Sequence, residues 1–197
     1  MGYPVFRSRE PTWAAAETLR RFAPSAVVVT SGSYGPLSQT FGGCGVPTIL
    51  YLRDVEPRNM RGVLPRPDLV TFVSNSTFNA SRVATFIGVE PVVIPPLVRP
   101  DRYRTETTRT RVLFVNPVPE KGVDRAFQLA EARPDVSFDF VECWPLSSER
   151  RERLLARARR LSNVAWHRAT STPRELYRHA RILLVPSLWE EGPGAGS

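Results

Sequence analysis

The chain has 197 residues, of which 42% are hydrophobic and 10% aromatic, and its 27 basic and 19 acidic residues give a net charge of +8. This length accommodates one large or two small domains, and the hydrophobic fraction excludes a wholly disordered chain. The basic residues are spread along the chain without a homeodomain, zinc-finger or RNA-recognition signature, so we expect no nucleic-acid partner. The first 30 residues contain several charged side chains, so we expect neither a secretory signal nor a membrane span there.

Short apolar runs alternate with helix-like segments along the whole chain. The runs are continuous rather than alternating in polarity, which is typical of strands covered on both faces. The predicted strands are 26–30, 48–52, 69–73, 92–94, 112–115, 138–141, 164–166 and 182–185. The predicted helices are 12–22, 77–86, 123–132, 148–161 and 174–179, the last with Thr172 as its capping residue and Pro173 at its first position. This rhythm predicts an α/β fold with doubly wound, mainly parallel sheets.

The rhythm is interrupted between residues 95 and 108, where prolines, charged residues and threonines replace the apolar runs. We place a domain boundary there, with one domain over 1–104 and a second over 105–197. Each half then holds few strands for a complete nucleotide-binding domain, so we expect both domains to be incomplete.

Arginine is concentrated in the predicted helix 148–161, where basic residues enclose leucines and alanines at helical spacing. This pattern favours an amphipathic helix with a solvated basic face, and contact with a membrane surface or a polyanion is the alternative. Cys44 and Cys143 are far apart and have no metal-ligand spacing, which indicates reduced thiols in a cytosolic protein.

Lys121 is the only lysine of the chain, and it lies in a loop, 116–122, between the strand 112–115 and a helix that begins near Val123. A helix N-terminus attracts anions, and a lysine beside it adds a full positive charge. The prolines stiffen this loop, and Gly122 allows a close approach of backbone or ligand. The alternative is that Lys121 is solvated and the loop merely turns.

A second loop follows the predicted strand 182–185 and contains Trp189, Glu190 and Glu191. Paired carboxylates beside a tryptophan can bind sugar hydroxyls, accept hydrogen bonds from a ribose or stabilise a developing positive charge. The alternative is an exposed acidic turn.

The order of these motifs resembles that of glycosyltransferase family 4. The similar segments are Val46 to Asp54, Val73 to Ser76, Val93 to Pro96, the strand-loop-helix of Val112 to Gly122, Val185-Pro186-Ser187 and Glu191-Gly192-Pro193-Gly194. The resemblance covers nearly the whole chain and implies the GT-B fold, in which two Rossmann-like domains face each other.

The resemblance also implies roles for individual residues. It implies that Lys121, with Gly122 and Asn116, contacts the phosphates of a nucleotide-sugar donor, and that Arg53, Asp54 and Glu191 are catalytic. Asn116-Pro117 stands where the family has Gly-Arg, and Arg53 stands where it often has histidine. The family's glycine-rich acceptor loop is not found in the first strand-helix unit, and its second glutamate would fall after residue 197, so the resemblance implies a chain truncated at both ends.

The function that the resemblance implies is retaining transfer of a sugar from a nucleotide-sugar donor to a glycan, a lipid-linked or a small-molecule acceptor. Because no Asp-x-Asp occurs in the sequence, we expect no metal, and we expect no cofactor beyond the donor itself. We expect a cytoplasmic location, with peripheral contact at the inner face of the membrane left open. A non-catalytic nucleotide-binding fragment or module is the alternative.

Overall fold

A computed structural model describes residues 5–30, 34–53, 67–170 and 172–189. The chain forms two compact units that divide between Pro96 and Leu97. Each unit contains a four-stranded sheet in which every pairing is parallel. The predicted α/β fold with two parallel sheets is therefore confirmed.

The first unit has the sheet order β1-β2-β3-β4. Its elements are α1 (Ala15–Phe22), β1 (Val27–Thr30), α2 (Tyr34–Gly43), β2 (Thr48–Leu52), β3 (Val70–Ser74), α3 (Thr77–Ile87) and β4 (Val92–Val93). Side chains of the sheet pack with those of the helices in one core, which includes Val29, Leu50, Phe72 and Val83. Ser76 caps α3, since its hydroxyl accepts a hydrogen bond from the Asn79 N–H at 3.2 Å.

The second unit has the sheet order β7-β6-β5-β8. Its elements are β5 (Arg111–Val115), α4 (Val123–Ala132), β6 (Ser137–Glu142), α5 (Ser148–Ala158), β7 (Val164–Arg168), α6 (Pro173–Tyr177) and β8 (Ala180–Leu184). The aromatic rings of Phe114, Phe127 and Phe138 surround that of Phe140, with ring centroids 4.9 to 6.4 Å apart. Because Phe127 belongs to α4 and the other rings to the sheet, these aromatic contacts pack α4 against the sheet.

Residues 97–104 contact the second unit. The Arg174 guanidinium donates a hydrogen bond to the Asp101 carbonyl, and the rings of Tyr103 and Tyr177 meet edge to face at 6.3 Å. The division after Pro96 therefore lies closer to the N-terminus than the boundary after residue 104 that the sequence suggests.

Helix α6 begins at Pro173, as predicted, but Thr172 forms no side-chain capping bond. Instead Thr170 accepts a hydrogen bond from the Thr172 N–H and donates one to Glu175 at 2.8 Å. Thr172 therefore occupies the predicted N-cap position, but its predicted side-chain capping bond is absent.

The two cysteines, Cys44 and Cys143, form no disulfide and are exposed. In the part of the chain that the structure describes, no helix combines the length and the apolar character needed to cross a bilayer.

Candidate anion-binding site of the second unit

The strand order of the second unit creates a switch point beside β5. The chain leaves β5 to form β6 and β7 on one side, and then returns to place β8 on the other side. In open parallel sheets, ligands bind at the carboxyl ends of the strands where the order reverses in this way. The two loops singled out from the sequence leave the carboxyl ends of β5 and β8, so both lie at this switch point.

The loop after β5 is a tight, partly buried turn. Asn116 adopts a left-handed conformation with φ of 60°, which asparagine tolerates better than most residues. Pro117 and Val118 are the buried residues of this loop. The Lys121 N–H donates a hydrogen bond to the Val118 carbonyl at 3.1 Å. Gly122, with φ of 76°, ends the turn, and α4 follows without a side-chain cap. The first turn of this ten-residue helix therefore presents its positive end beside Lys121.

The loops after β5 and β8 are in direct contact. A Cβ atom on Gly122 would overlap the carbonyl oxygen of Pro186 and lie 2.9 Å from its carbonyl carbon. The Leu188 N–H donates a hydrogen bond to the Glu120 carbonyl at 2.9 Å. The glycine at position 122 thus allows the backbone of Pro186 to approach closely.

A third loop, between β6 and α5, reaches the same edge of the sheet. The Asn116 Oδ1 accepts a hydrogen bond from the Trp144 N–H at 2.8 Å, and Lys121 Nζ lies 5.2 Å from the centre of a Trp144 ring. This distance is within the range of a cation–π contact. Trp144 was not among the residues selected from the sequence, although its place just after the predicted strand 138–141 puts it at a strand's carboxyl end.

Glu142 anchors the base of this third loop. Both of its carboxylate oxygens lie 3.0 Å from the Nε of Arg151, and the side chain of Glu142 is only 5% exposed. The Arg151 guanidinium is the main reason that the pKa of Glu142 is lowered, although burial opposes it. The pair ties β6 to α5 and thereby fixes both ends of the loop that carries Trp144.

The carboxyl edge of the first unit has its own polar network around the end of β2. The Asn79 amide donates to the Leu52 carbonyl at 2.9 Å and to the Asn75 Oδ1 at 3.1 Å. Asn75 donates to the Arg53 carbonyl, and the Tyr34 hydroxyl accepts from the Arg53 N–H, both at 3.3 Å. The buried side chains of Asn75 and Tyr34 therefore hold the backbone of the exposed Arg53, and that of Asn79 holds the carbonyl of Leu52 just before it.

The structure brings three of the six predicted site residues together in one loop, namely Asn116, Lys121 and Gly122. Arg53 belongs to the first unit and lies at the end of β2. Asp54 and Glu191 lie outside the described residues, so their predicted catalytic roles stay predictions.

A second cluster of charged groups surrounds Asp139 of β6, near residues of α6. Asp139 accepts hydrogen bonds from Arg111 Nε and His167 Nε2, both at 2.8 Å, beside a cavity of about 170 Å³ that Glu175 and His179 also line. Among the described residues, no group of three or more histidine, cysteine and acidic side chains has an arrangement that could hold a metal ion.

Two of the six arginines in the predicted basic helix are less open to solvent than the sequence suggests, while Arg150, Arg153, Arg159 and Arg160 are exposed. Arg157 bridges Asp124 and Glu131 at 2.9 and 3.0 Å, and its guanidinium stacks 4.4 Å from the ring centre of Phe127. Arg151 is held by Glu142. These two arginines are therefore part of the packing of α5 and not of a solvated basic face.

No family model and no curated protein matches this chain. Solved structures that resemble it include a GtfA/B complex bound to UDP and GlcNAc, with 15% identity and a TM-score of 0.40 over 90% of this chain and 41% of that one. They also include MurG of Acinetobacter baumannii, with 13% identity and a TM-score of 0.46 over 90% of this chain and 52% of that one. The chain thus spans about half of these structures or less.

Proposed function

We propose that this chain is part of a retaining glycosyltransferase that uses a nucleotide-sugar donor, with the donor bound by the second unit. The observation that carries the proposal is the meeting of the loops after β5 and β8 at the switch point of the second sheet. These loops also carry the resemblance to glycosyltransferase family 4, and they are joined by the Leu188–Glu120 backbone hydrogen bond and the contact of Gly122 with Pro186.

The chemistry of this edge suits a diphosphate. When a nucleotide-sugar bond breaks, negative charge develops on the departing diphosphate. Lys121 and the positive end of α4 are positioned to stabilise that charge electrostatically, without a protein nucleophile. Since Lys121 supplies a cation at this point, the proposal requires neither a metal ion nor a further cofactor.

The remaining parts of the proposal rest on the family resemblance. In it, the first unit binds a glycan, lipid-linked or small-molecule acceptor, Arg53, Asp54 and Glu191 act near the reacting sugar, and the reaction retains configuration. The enzyme would work in the cytoplasm. The arginines of α5 other than Arg151 and Arg157 would support peripheral contact with the membrane.

Calorimetric titration with uridine and guanosine diphosphates tests the phosphate site. The wild type is expected to bind at least one of them, and Lys121→Ala is expected to weaken that binding by about tenfold or more, because a charge-assisted contact is lost. Arg160→Ala is the matched control, since it removes a positive charge from an exposed position outside the loops and the helix that form the site. Absence of binding by the wild type would contradict the proposal.

An assay for sugar release from nucleotide-sugar donors separates the enzyme from a non-catalytic nucleotide-binding module. One feature of the loop favours the module: Asn116-Pro117 stands where the family has Gly-Arg, so a second cation for the phosphates is missing from the loop. Binding that depends on Lys121, with no turnover of any donor, would support the module. Turnover that Lys121→Ala abolishes would support the enzyme.

A further inference from the structure

We propose that Trp144 is the specificity-determining residue of this site and that its indole stacks on the base of a bound nucleotide. The inference rests on the proposed function and extends it, because it assigns the aromatic part of the ligand to a residue that neither the motifs nor the resemblance selects. Lys121 and the start of α4 then select for phosphate, and Trp144 selects for a planar base attached to it.

The position of Trp144 supports this role. The side chain of Trp144 is 49% exposed, so part of its ring is open to a ligand. The ring lies beside the Lys121 ammonium, 5.2 Å from ring centre to Nζ. An aromatic face next to a cation matches a nucleotide, whose aromatic base and anionic phosphates are covalently linked.

The backbone of Trp144 is held in place before any ligand binds. Its N–H donates to Asn116 Oδ1 at 2.8 Å, and Glu142, two residues earlier, is locked to Arg151. Asn116 reaches the Trp144 N–H from the left-handed turn that directly follows β5. A stacking surface that is positioned in advance loses less conformational entropy on binding, which favours affinity.

Stacking also explains which ligands the site should distinguish. Every base presents a π-face, so Trp144 is expected to favour nucleoside diphosphates over inorganic pyrophosphate without choosing strongly between uridine and guanosine. Selection among bases would then require hydrogen-bonding groups elsewhere.

The test compares uridine diphosphate, guanosine diphosphate and inorganic pyrophosphate by calorimetry on the full chain. Trp144→Ala is expected to weaken nucleoside diphosphate binding by about 5- to 150-fold, the loss typical of one base–aromatic stack, and to change pyrophosphate binding less than about twofold. Trp144→Phe, which keeps an aromatic face, should recover most of the loss. Trp13→Ala, which removes an 84% exposed tryptophan of the first unit, is the control and should bind like the wild type.

The outcomes separate this inference from the proposed function. Unchanged binding of nucleoside diphosphates by Trp144→Ala would overturn the stacking role and leave the nucleotide site standing. An equal loss of pyrophosphate binding would also overturn it, because Trp144 would then act through Lys121 and not on the base. If the wild type binds pyrophosphate but no nucleoside diphosphate, both the stacking role and the proposed function fail.

Discussion

Gly122 and Pro186 are in direct backbone contact, and this contact joins the two loops at the switch point of the second sheet. The Gly122 backbone has φ of 76°, and no side chain fits between its Cα and the Pro186 carbonyl. Glycine is therefore required at position 122, because the loop after β8 leaves no room for a side chain there. A direct phosphate contact of Gly122 stays a prediction beside this packing role.

Replacing Gly122 by alanine is expected to destabilise the second unit by roughly 2–4 kcal/mol, because left-handed strain and an overlap with backbone act together. Gly88→Ala is the matched control: Gly88 also has a left-handed φ, of 68°, but a Cβ there meets nothing within 4 Å. That variant should lose only about 1–2 kcal/mol, the cost of strain alone. Hydrogen exchange of the sheet in each variant's own unit measures both, and equal losses would contradict the packing role of Gly122.

Most strands could be predicted from the sequence, because short continuous apolar runs between turn residues are typical of buried parallel strands. Helix α2 could not. The segment Tyr34–Gly43 contains Gly35, Pro36, Gly42 and Gly43, which disfavour a helix. It is helical because Tyr34 and Phe41 pack into the core and because Pro36 falls in the first turn, where a missing N–H costs little. Tertiary packing overrides local propensity there.

The candidate site could be predicted only one loop at a time. The loops after β5 and β8 were recognisable as strand ends, but the sequence does not state that β5 lies between β6 and β8. That order brings Trp144 to Lys121 and Pro186 to Gly122. The role of Asn116 as the acceptor for the Trp144 N–H depends on the same order, so it could not be read from the motif.

Asn116 is expected to act through both its backbone conformation and its side-chain oxygen. Asn116→Gly keeps the left-handed turn and loses the bond to the Trp144 N–H, whereas Asn116→Ala loses the bond and strains the turn. Both variants should speed hydrogen exchange at the Trp144 amide, and only Asn116→Ala should also lose about 1–2 kcal/mol from left-handed strain. Asn116→Asp keeps an acceptor and should protect the amide as the wild type does. Unchanged exchange in Asn116→Gly would show that the bond does not hold the loop.

Glu142 should make the second unit sensitive to acid. Its pKa is lowered in the folded state by Arg151, so the ionised pair adds stability above the unfolded-state pKa near 4.5, and this stability is lost as the pH falls through the lower folded-state pKa. Glu142→Gln should therefore be less stable than the wild type at pH 7, and the difference should shrink as the pH falls below about 4.5. Urea unfolding between pH 3 and 7 measures the profile.

The control for Glu142 is the exposed pair of Asp135 and Arg133. The Arg133 guanidinium also lowers the pKa of Asp135, but the side chains are 63% and 60% exposed. Because solvent screens such a pair, Asp135→Asn should keep both the stability and the acid profile of the wild type. An Asp135→Asn profile that matched that of Glu142→Gln would mean that burial of Glu142 is not the cause.

Asn79 is expected to control the conformation of Arg53. Its amide group donates to Leu52 and Asn75, while its own Oδ1 is buried without a hydrogen-bond partner in the described structure. Asn79→Ala should destabilise the first unit by about 1–3 kcal/mol, the usual cost of leaving buried acceptors short of a donor. Asn79→Asp should cost more, because it turns a carboxylate toward two acceptors. Both should speed exchange of the Arg53 amide. Ser81→Ala, which removes an exposed hydroxyl from the same helix, should change neither quantity. Unaltered exchange at Arg53 in Asn79→Ala would show that the end of β2 is held without this network.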